Sequence, residues 1–237
     1  LQDLNPEQQR AVLHTNGPLL IVAGAGTGKT KTLTYRILHL INNGVPAENI
    51  LAITFTNKAA AEMRERLHKL LGEHRQMAMM KTFHGLGVYI LRTFYQEAKL
   101  RKEFVIMDTT DTTRLIKDCM EELSIDPKQY DPRTIKTIIS NAKNAGKNIF
   151  DFEGEIYNPV TDNAVKIWRV YEQKKQAEHA LDFDDLLIKT KELLETNADV
   201  RTKLQNKFKY VHIDEYQDTN EIQYQVAKIL AGTAHNI

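Results

Sequence analysis

Apolar positions along the chain change their period several times, and each change marks an element. "LNPEQQRAVLH" sets Asn5, Pro6 and Gln8 ahead of an apolar stripe. This predicts a helix with Asn5 as N-cap, Pro6 in its first turn and Gln8 as capping-box partner. "PLLIVAG" is a continuous apolar run bounded by Pro18 and Gly24, and predicts a buried strand. From Lys29 the spacing turns helical, with Leu33, Ile37, Leu40 and Ile41 on one face and a stop at Asn43-Gly44. "ILAITF" (50–55) predicts the next strand, followed by a helix capped by Asn57 and closed by Gly72. "MAMMKTF" (77–83) and "KYVHIDE" (209–215) predict two more strands. After the second, Thr219 or Asn220 caps a helix that ends at Gly232, and "TAHNI" opens like a further strand.

Strands alternating with helices in this way predict a parallel sheet covered by helices. The middle of the chain, from Phe104 to Val200, is mostly helical in pattern and poor in strand-like runs. Its punctuation falls at Asp126-Pro127, Asp131-Pro132, Gly146, Gly154 and Asn158-Pro159. The expected organisation is an α/β lobe over 1–103, a helical insertion over 104–200, and the rest of the lobe over 201–237. Trp168 and Tyr171, at helical spacing inside the insertion, read as core residues rather than as a stacking platform.

Composition narrows the function only a little. The 237 residues are 42% hydrophobic and 27% charged with a net charge of +1, so any basic groove must come from local clustering. A single cysteine, Cys119, excludes an internal disulfide, suits a reducing compartment and reads as a small buried hydrophobe. No apolar run approaches the roughly 18 residues that span a bilayer. The N-terminus lacks the apolar core of a signal peptide. A soluble, cytoplasmic protein without a membrane partner is expected.

Chemistry enters at "IVAGAGTGKT", residues 21–30. A phosphate-binding loop asks for Gly, four free positions, then Gly-Lys-Ser/Thr. Here Gly28-Lys29-Thr30 fits, but Ala23 stands where the first glycine belongs. A strand that ends in a Gly-rich turn and opens into a helix offers successive N–H groups and a helix dipole to an anion. Gly24, Gly26 and Gly28, with Ala25 and Thr27 between them, would form the cradle. Lys29 would reach the outer phosphates, and the Thr30 hydroxyl would ligate Mg²⁺. Ala23 is compatible with this if it keeps ordinary extended angles. The acidic half of such a site is expected at the end of a buried strand, and "YVHIDEYQD" supplies it. Asp214 would hold the metal and Glu215 would act as general base toward water. Gln217 and Asp218 are placed to sense the outermost phosphate or a neighbouring domain.

These residues together resemble the superfamily 1 helicases of the UvrD/Rep/PcrA group. That group writes its phosphate loop A-G-A-G-[ST]-G-K-T, with alanine first, as in Ala23 to Thr30. "LNPEQQRAV" resembles the group's Q motif. Gln8 is then either the adenine reader that this implies or a plain capping residue, and the two roles are compatible. "LAITFTNKAAAEMRERL" resembles motif Ia, "TFHGLG" motif Ib, "LDFDDLL" the segment that closes the inserted domain, and "HIDEYQDTN" motif II. The resemblance runs in order along essentially the whole chain. It implies a RecA-like P-loop lobe with a parallel sheet, interrupted by a mostly helical inserted domain (domains 1A and 1B). It also implies ATP and Mg²⁺ as cofactors, and 3′→5′ movement on single-stranded DNA or at junctions with duplex, in repair or replication. Gly85 departs from the usual serine of motif Ib, and Lys31 from the usual arginine. Motifs III to VI, with their arginine fingers, are absent from these residues, so an N-terminal portion lacking a motor lobe in cis is expected.

DNA contacts follow from the same resemblance. Phe55 at its strand end is the candidate for base stacking, worth ~1–3 kcal/mol per base. Thr56, Asn57 and Lys58 sit at a helix N-terminus, a natural phosphate site. Thr82 and His84 form a second cluster, with a structural role open for His84. Lys136, Lys143 and Lys147 of the insertion face either nucleic acid or solvent. Two rivals stand beside the motor: the helicase part of a recombination nuclease-helicase, and a non-motor ATP switch. An intact Glu215 beside Asp214 favours hydrolysis, because a pure switch needs no base.

Overall fold

A computed structural model of the chain describes residues 2–72, 76–153, 158–234 and 236–237. In chain order the elements begin with α1 (Pro6–Leu13), α2 (Lys29–Asn42), β1 (Ile50–Thr54), α3 (Asn57–Leu71), β2 (Met79–Thr82) and α4 (Phe83–Thr93). Then come β3 (Val105–Ile106), α5 (Thr109–Glu122), α6 (Pro132–Asn144), the short α7 (Ile149–Glu153), α8 (Pro159–Ala177) and β4 (Ala180–Leu181). The order closes with α9 (Phe183–Thr196), α10 (Ala198–Lys207), β5 (Tyr210–Ile213) and α11 (Glu221–Ala231). Two compact units result, one of Leu1–Leu86, Leu193–Thr219 and Gln223–Ile237, the other of Gly87–Glu192 and Asn220–Ile222.

The first unit is built on a parallel sheet in the order β2-β1-β5. Ala52 of central β1 lies level with Met80 of β2 and His212 of β5. All five β1 residues are buried, which explains a continuous apolar run in place of alternation. Leu33, Ile37 and Leu40 of α2 pack with Met63 and Leu67 of α3 against Ile50, Ala52 and Met80. Both helices thus spend their apolar stripes on the sheet. At the heart of this lobe, burial pushes the His212 imidazole down to about 3, with Arg36 adding to it. It is therefore neutral at physiological pH, and among the described residues its Nε2 has no hydrogen-bond partner.

Three local expectations need correction here. Residues 18–24 form no strand, and Leu20 and Val22 are 69% and 87% exposed. An apolar run becomes a strand only where a neighbour takes up its backbone groups. Here the bond to a distant part of the chain runs from Leu19 N–H to the Ile237 carbonyl (2.9 Å), and the carbonyls of Ala23 and Gly24 are taken up locally by the loop. The cap of α3 is Thr56, whose side chain accepts from Ala59 N–H at 3.0 Å, so Asn57 is already helical. In the tail, Gly232–Ala234 is a 3-10 turn, and the strand-like feature is the bond from Val211 N–H to the Asn236 carbonyl (2.9 Å). His235 of "TAHNI" lies outside the described residues, as does Gly154.

The second unit is mostly helical. Ile116, Cys119 and Met120 of α5, Ile135 and Ile139 of α6, and Trp168 and Tyr171 of α8 share one core. Trp168 and Tyr171 are core residues, as expected, and burial pushes the Cys119 thiol up to about 11. β3 and β4 pair in parallel, with Val105 level with Ala180. Among the described residues no helix is long and apolar enough to cross a membrane.

The unit also buries charge. Lys143 Nζ lies 2.8 Å from Glu172, 2.9 Å from Asp182 and 2.8 Å from Asp185. Lys175 Nζ lies 3.0 Å from Glu172 and from Asp182 and also contacts Asp185. Lys143 is therefore no surface contact for nucleic acid. It falls on the stripe of Ile135, Ile139 and Ala142, which the turn of α6 carries inward. Burial alone would lower its pKa, but Asp185, Asp182 and Glu172 hold it well above the usual lysine range. Burial likewise opposes ionisation of Asp182, yet Lys143 and Lys175 keep that carboxyl well below the usual range. Asp185, in the same cage, is pushed up by burial.

Removing one partner of such a cage leaves the others buried and unbalanced, a loss of about 3–5 kcal/mol. Lys143→Met is expected to destabilise the second unit by that amount. Lys166→Met, which breaks an exposed pair with Asp162 at 2.6 Å, should cost under about 0.5 kcal/mol. Urea unfolding followed by the fluorescence of Trp168, the one tryptophan, reads both, and equal losses would contradict the assignment.

Candidate functional site

Residues 23–30 form a tight loop that runs into α2. Gly26 and Gly28 hold positive φ (75° and 89°), whereas Ala23 does not. Ala23 therefore keeps a backbone region open to any residue, which is the condition on which the variant loop depended. The Thr27 hydroxyl donates to the Gly24 carbonyl (2.7 Å), closing the turn. Lys29 Nζ folds back over the loop and donates to the carbonyls of Ala23 (3.2 Å) and Gly24 (3.4 Å). The helix behind it has Gly28 as N-cap with no side-chain cap, so the first N–H groups of α2 are left to whatever occupies the loop.

α1 braces this loop. Asn5 and Gln8 form the expected capping box, Asn5 N–H donating to Gln8 Oε1 (3.0 Å) and Gln8 N–H to Asn5 Oδ1 (2.9 Å). Gln8 Nε2 then donates to the Thr27 carbonyl (2.9 Å). In this arrangement Gln8 caps α1 and ties it to the loop.

The acidic pair comes from the end of β5. Asp214 N–H donates to the Ile53 carbonyl (2.9 Å), which holds it at the carboxyl edge of the sheet beside β1. The Thr30 hydroxyl donates to Asp214 Oδ2 at 2.9 Å. Burial pushes the Asp214 carboxyl up, the Thr30 hydrogen bond opposes it, and Glu215 adds to the rise. Glu215 Oε2 lies 3.9 Å from Lys29 Nζ and accepts from Gln217 Nε2 at 2.5 Å. Its backbone is left-handed, with φ 52° and ψ 47°, a conformation that costs a side-chain-bearing residue ~1–3 kcal/mol. The carboxyl ends of parallel strands are where open α/β sheets bind ligands.

A cleft of about 480 Å³ opens over the loop, lined by Gly26, Gly28, Lys29, Thr30 and Glu215. It continues over Lys31, Tyr35, Arg66 and Leu70, of which only Lys31 was remarked on in the sequence. The signal for the others is the i, i+4 spacing of Lys31 and Tyr35 on α2 and of Arg66 and Leu70 on α3. That the two helices lie side by side is a tertiary fact no local pattern carries. The Tyr35 hydroxyl donates to Asp3 (3.3 Å), and Lys31 Nζ donates to the Asp3 carbonyl (2.7 Å).

The DNA candidates lie at the ends of β1 and β2. Phe55 is half-buried and meets Phe83 edge-on at 5.8 Å between ring centroids. Thr56, Asn57 and Lys58 are exposed at the start of α3. Thr82 differs: it is buried, and its hydroxyl accepts from Gly85 N–H at 3.0 Å. A Cβ at Gly85 would approach that hydroxyl to 3.1 Å, so the glycine in place of the usual serine relieves a crowded corner. His84 is half-buried beside it.

The profile of the UvrD/REP helicase N-terminal domain family matches residues 4–237. The chain belongs to this family. Among its curated relatives is the ATP-dependent DNA helicase PcrA of Staphylococcus aureus (strain Mu50 / ATCC 700699), 43% identical over the whole chain. The protein of the same name from Staphylococcus epidermidis (strain ATCC 12228 / FDA PCI 1200) is also 43% identical over the whole chain. The chain spans about a third of the length of these relatives, 33% in each case. Family membership accounts for the parallel sheet and for the order of the motif-like segments.

The loop backbone makes a prediction that needs no ligand. A methyl group at Gly28 would meet Gln8 Nε2 at 3.1 Å on a residue whose φ is 89°. Gly28→Ala should therefore destabilise the first unit by ~1–2 kcal/mol. At Gly24 φ is not positive and the nearest atom to an added Cβ is 3.7 Å away, so Gly24→Ala should fold as the parent does. Denaturant midpoints distinguish the two, and an unaffected Gly28→Ala would show that the loop is not held as described.

Proposed function

We propose that this chain is the ATP-binding portion of a DNA helicase motor that hydrolyses ATP to move 3′→5′ along single-stranded DNA. The observation that carries the reading is the 2.9 Å contact between the Thr30 hydroxyl and Asp214, which joins the phosphate loop to the acidic strand end. The donor set fits Mg²⁺: a hydroxyl and a carboxylate are hard oxygen ligands, and such sites rely on nucleotide phosphates and water for the rest. When bound, Mg²⁺ supplies positive charge against the phosphates and against the buried Asp214 carboxylate.

The chain's own groups would divide the work. Amides of Ala25 to Thr30 and the helix dipole of α2 would bind the phosphates, and Lys29 would swing from the Ala23 and Gly24 carbonyls to the outermost one. Glu215 would accept the proton of the attacking water, and Gln217, already bonded to it, would orient it. Gln8 would hold the loop against α1 and, on exchanging its bond to Thr27, read the adenine edge. Phe55, Thr56, Asn57, Lys58 and His84 would face one side of a DNA track by stacking and phosphate contact, with Thr82 supporting from beneath. We read the helical unit as the family's inserted domain. Arginines from a further lobe would complete the cleft, and the whole protein would act on cytoplasmic DNA at single-strand junctions in repair or replication.

Lys29→Ala should abolish Mg·ATP binding in a folded chain, since it removes a charge-assisted contact to the phosphates. Unchanged affinity by calorimetry would remove the loop from the site. Glu215→Gln, in a protein of the relatives' length, should keep ATP and DNA binding and slow hydrolysis by ~10²-fold or more. A wild-type rate would mean that another group orients the water.

The 237-residue chain alone should bind nucleotide and single strands weakly and show almost no DNA-stimulated ATPase. On this reading the arginines that stabilise the transition state come from the further lobe, and their loss costs ~10³–10⁵ in turnover. Robust stimulated turnover by the purified chain with an oligonucleotide would overturn this half-site picture.

A further inference from the structure

α1 carries Gln8, yet little of α1 is bound into the core. Among its described residues Val12 alone is buried. A helix this short is marginal without tertiary support, so its seat depends on what holds it from outside. That support comes from α2 and grips both ends. Just before α1, Lys31 Nζ donates to the Asp3 carbonyl (2.7 Å) and the Tyr35 hydroxyl to the Asp3 carboxylate (3.3 Å). At the far end, Arg36 donates to the Ala11 carbonyl (2.9 Å). All of these residues belong to the first unit.

The two grips differ in kind. Lys31 and Tyr35 act at the surface, where water competes for the same groups. Arg36 is 3% exposed, on the stripe of Leu33, Ile37 and Leu40, where an apolar residue would pack without losing hydration. A charge in such a place needs a partner. Its partner is the last turn of α1, where carbonyls lack helical donors and the helix dipole is negative. α1 ends at His14 in extended geometry without a glycine cap, so the guanidinium of a neighbouring helix stands in for one. Gln8 lies one turn before Ala11. Its Nε2 bonds the Thr27 carbonyl (2.9 Å) and stands 3.1 Å from the place of a Cβ on Gly28. With both ends of α1 gripped, that reach is fixed. With the far end loose, α1 pivots about Asp3 and carries Gln8 off the loop.

We propose that Arg36 is a positioning residue for recognition of the nucleotide base, holding the far end of α1 so that Gln8 is presented over the loop. This rests on the reading of Gln8 as the group that meets the adenine edge. Arg36 is not among the described residues that line the cleft, so it acts on the base end of the nucleotide and leaves the phosphates to the loop. A purely packing role for Arg36 would change stability without separating base from phosphates.

The test uses the full chain with Arg36→Met, which fills the same space without a donor, and Arg36→Lys, which keeps a charged donor. Gln8→Ala and the combination of Arg36→Met with Gln8→Ala complete the set. Three quantities are read: affinity for Mg·ATP, affinity for Mg·tripolyphosphate, which has no base, and amide exchange over 9–14. Arg36→Met should weaken ATP binding ~10-fold, keep tripolyphosphate within about twofold and speed exchange ~10-fold. Arg36→Lys should recover ATP affinity to within about threefold of the parent, since a point charge serves at a helix end. The double variant should be no worse than Gln8→Ala. Should Arg36→Met fail to fold, Arg36→Gln, whose shorter side chain gives up Ala11 but stays polar, is read in its place. Parental exchange in the folded variant, equal losses of ATP and tripolyphosphate, or losses that add in the double variant would overturn the proposal. Gln8→Ala separates the two readings: parental ATP affinity there defeats Gln8 as base reader, while exchange over 9–14 still decides whether Arg36 holds α1.

Discussion

The hydrogen bond from Thr30 to Asp214 spans 184 residues of sequence, and the arrangement of the first unit follows from what it requires. Thr30 must leave the loop on the first turn of a helix, which places α2 with its N-terminus at the carboxyl edge of the sheet. Asp214 must sit one residue past a strand that pairs directly with β1, and β5 does so with Ile50 level with Tyr210 and Ile53 level with Ile213. Parallel pairing needs crossover connections. The chain between β1 and β5 is therefore free to be long, and Gly87–Glu192 of the second unit lies within it.

Much of this was legible in the sequence, because local chemistry decided it. The capping box of Asn5 and Gln8, the stop at Gly44 and the buried run of β1 are each set by residues within a few positions of one another. The glycine-rich loop belongs to the same class, since positive φ at Gly26 and Gly28 is a property that glycine alone supplies cheaply. Ala23 shows the converse: a letter that departs from a general pattern is harmless where the backbone makes no special demand. What local pattern misjudged was partnership. Residues 18–24 have the composition of a strand but little backbone pairing, and Leu20 and Val22 stand exposed. The cleft's continuation over Tyr35, Arg66 and Leu70 was equally invisible, because it depends on α2 lying beside α3.

Lys143 illustrates a different limit. Lysines in a helical segment near supposed nucleic-acid contacts suggest a basic face. Yet the spacing of Ile135, Ile139 and Ala142 already places Lys143 on the inner stripe of α6. Phase outweighs residue type here, because the partners that make a buried ammonium tolerable, Asp182 and Asp185, sit far along the chain in "LDFDDLL". The resemblance singled out that segment without a reason, and the geometry gives one: its acidic residues balance two buried lysines and, through Asp184, hold Asn144. An ionic cage of this kind is not a strong source of stability, since desolvation offsets most of its attraction. Its ion pairs do join α6, α8 and the start of α9.

Strain and anchoring then fit together. Glu215 is one of four side-chain-bearing residues with positive φ among the described residues, and of these it is the one that lines the cleft. A left-handed residue at a strand end turns the chain sharply. The turn lets consecutive Asp214 and Glu215 serve different partners, Thr30 for the first and Lys29 and Gln217 for the second. In an extended strand consecutive side chains point to opposite faces, and the pair would be divided by the sheet. The unfavourable backbone is thus what lets the buried Asp214 meet Thr30 while the next residue, Glu215, faces the cleft. A conformation held against its own preference also responds to small changes in its supports.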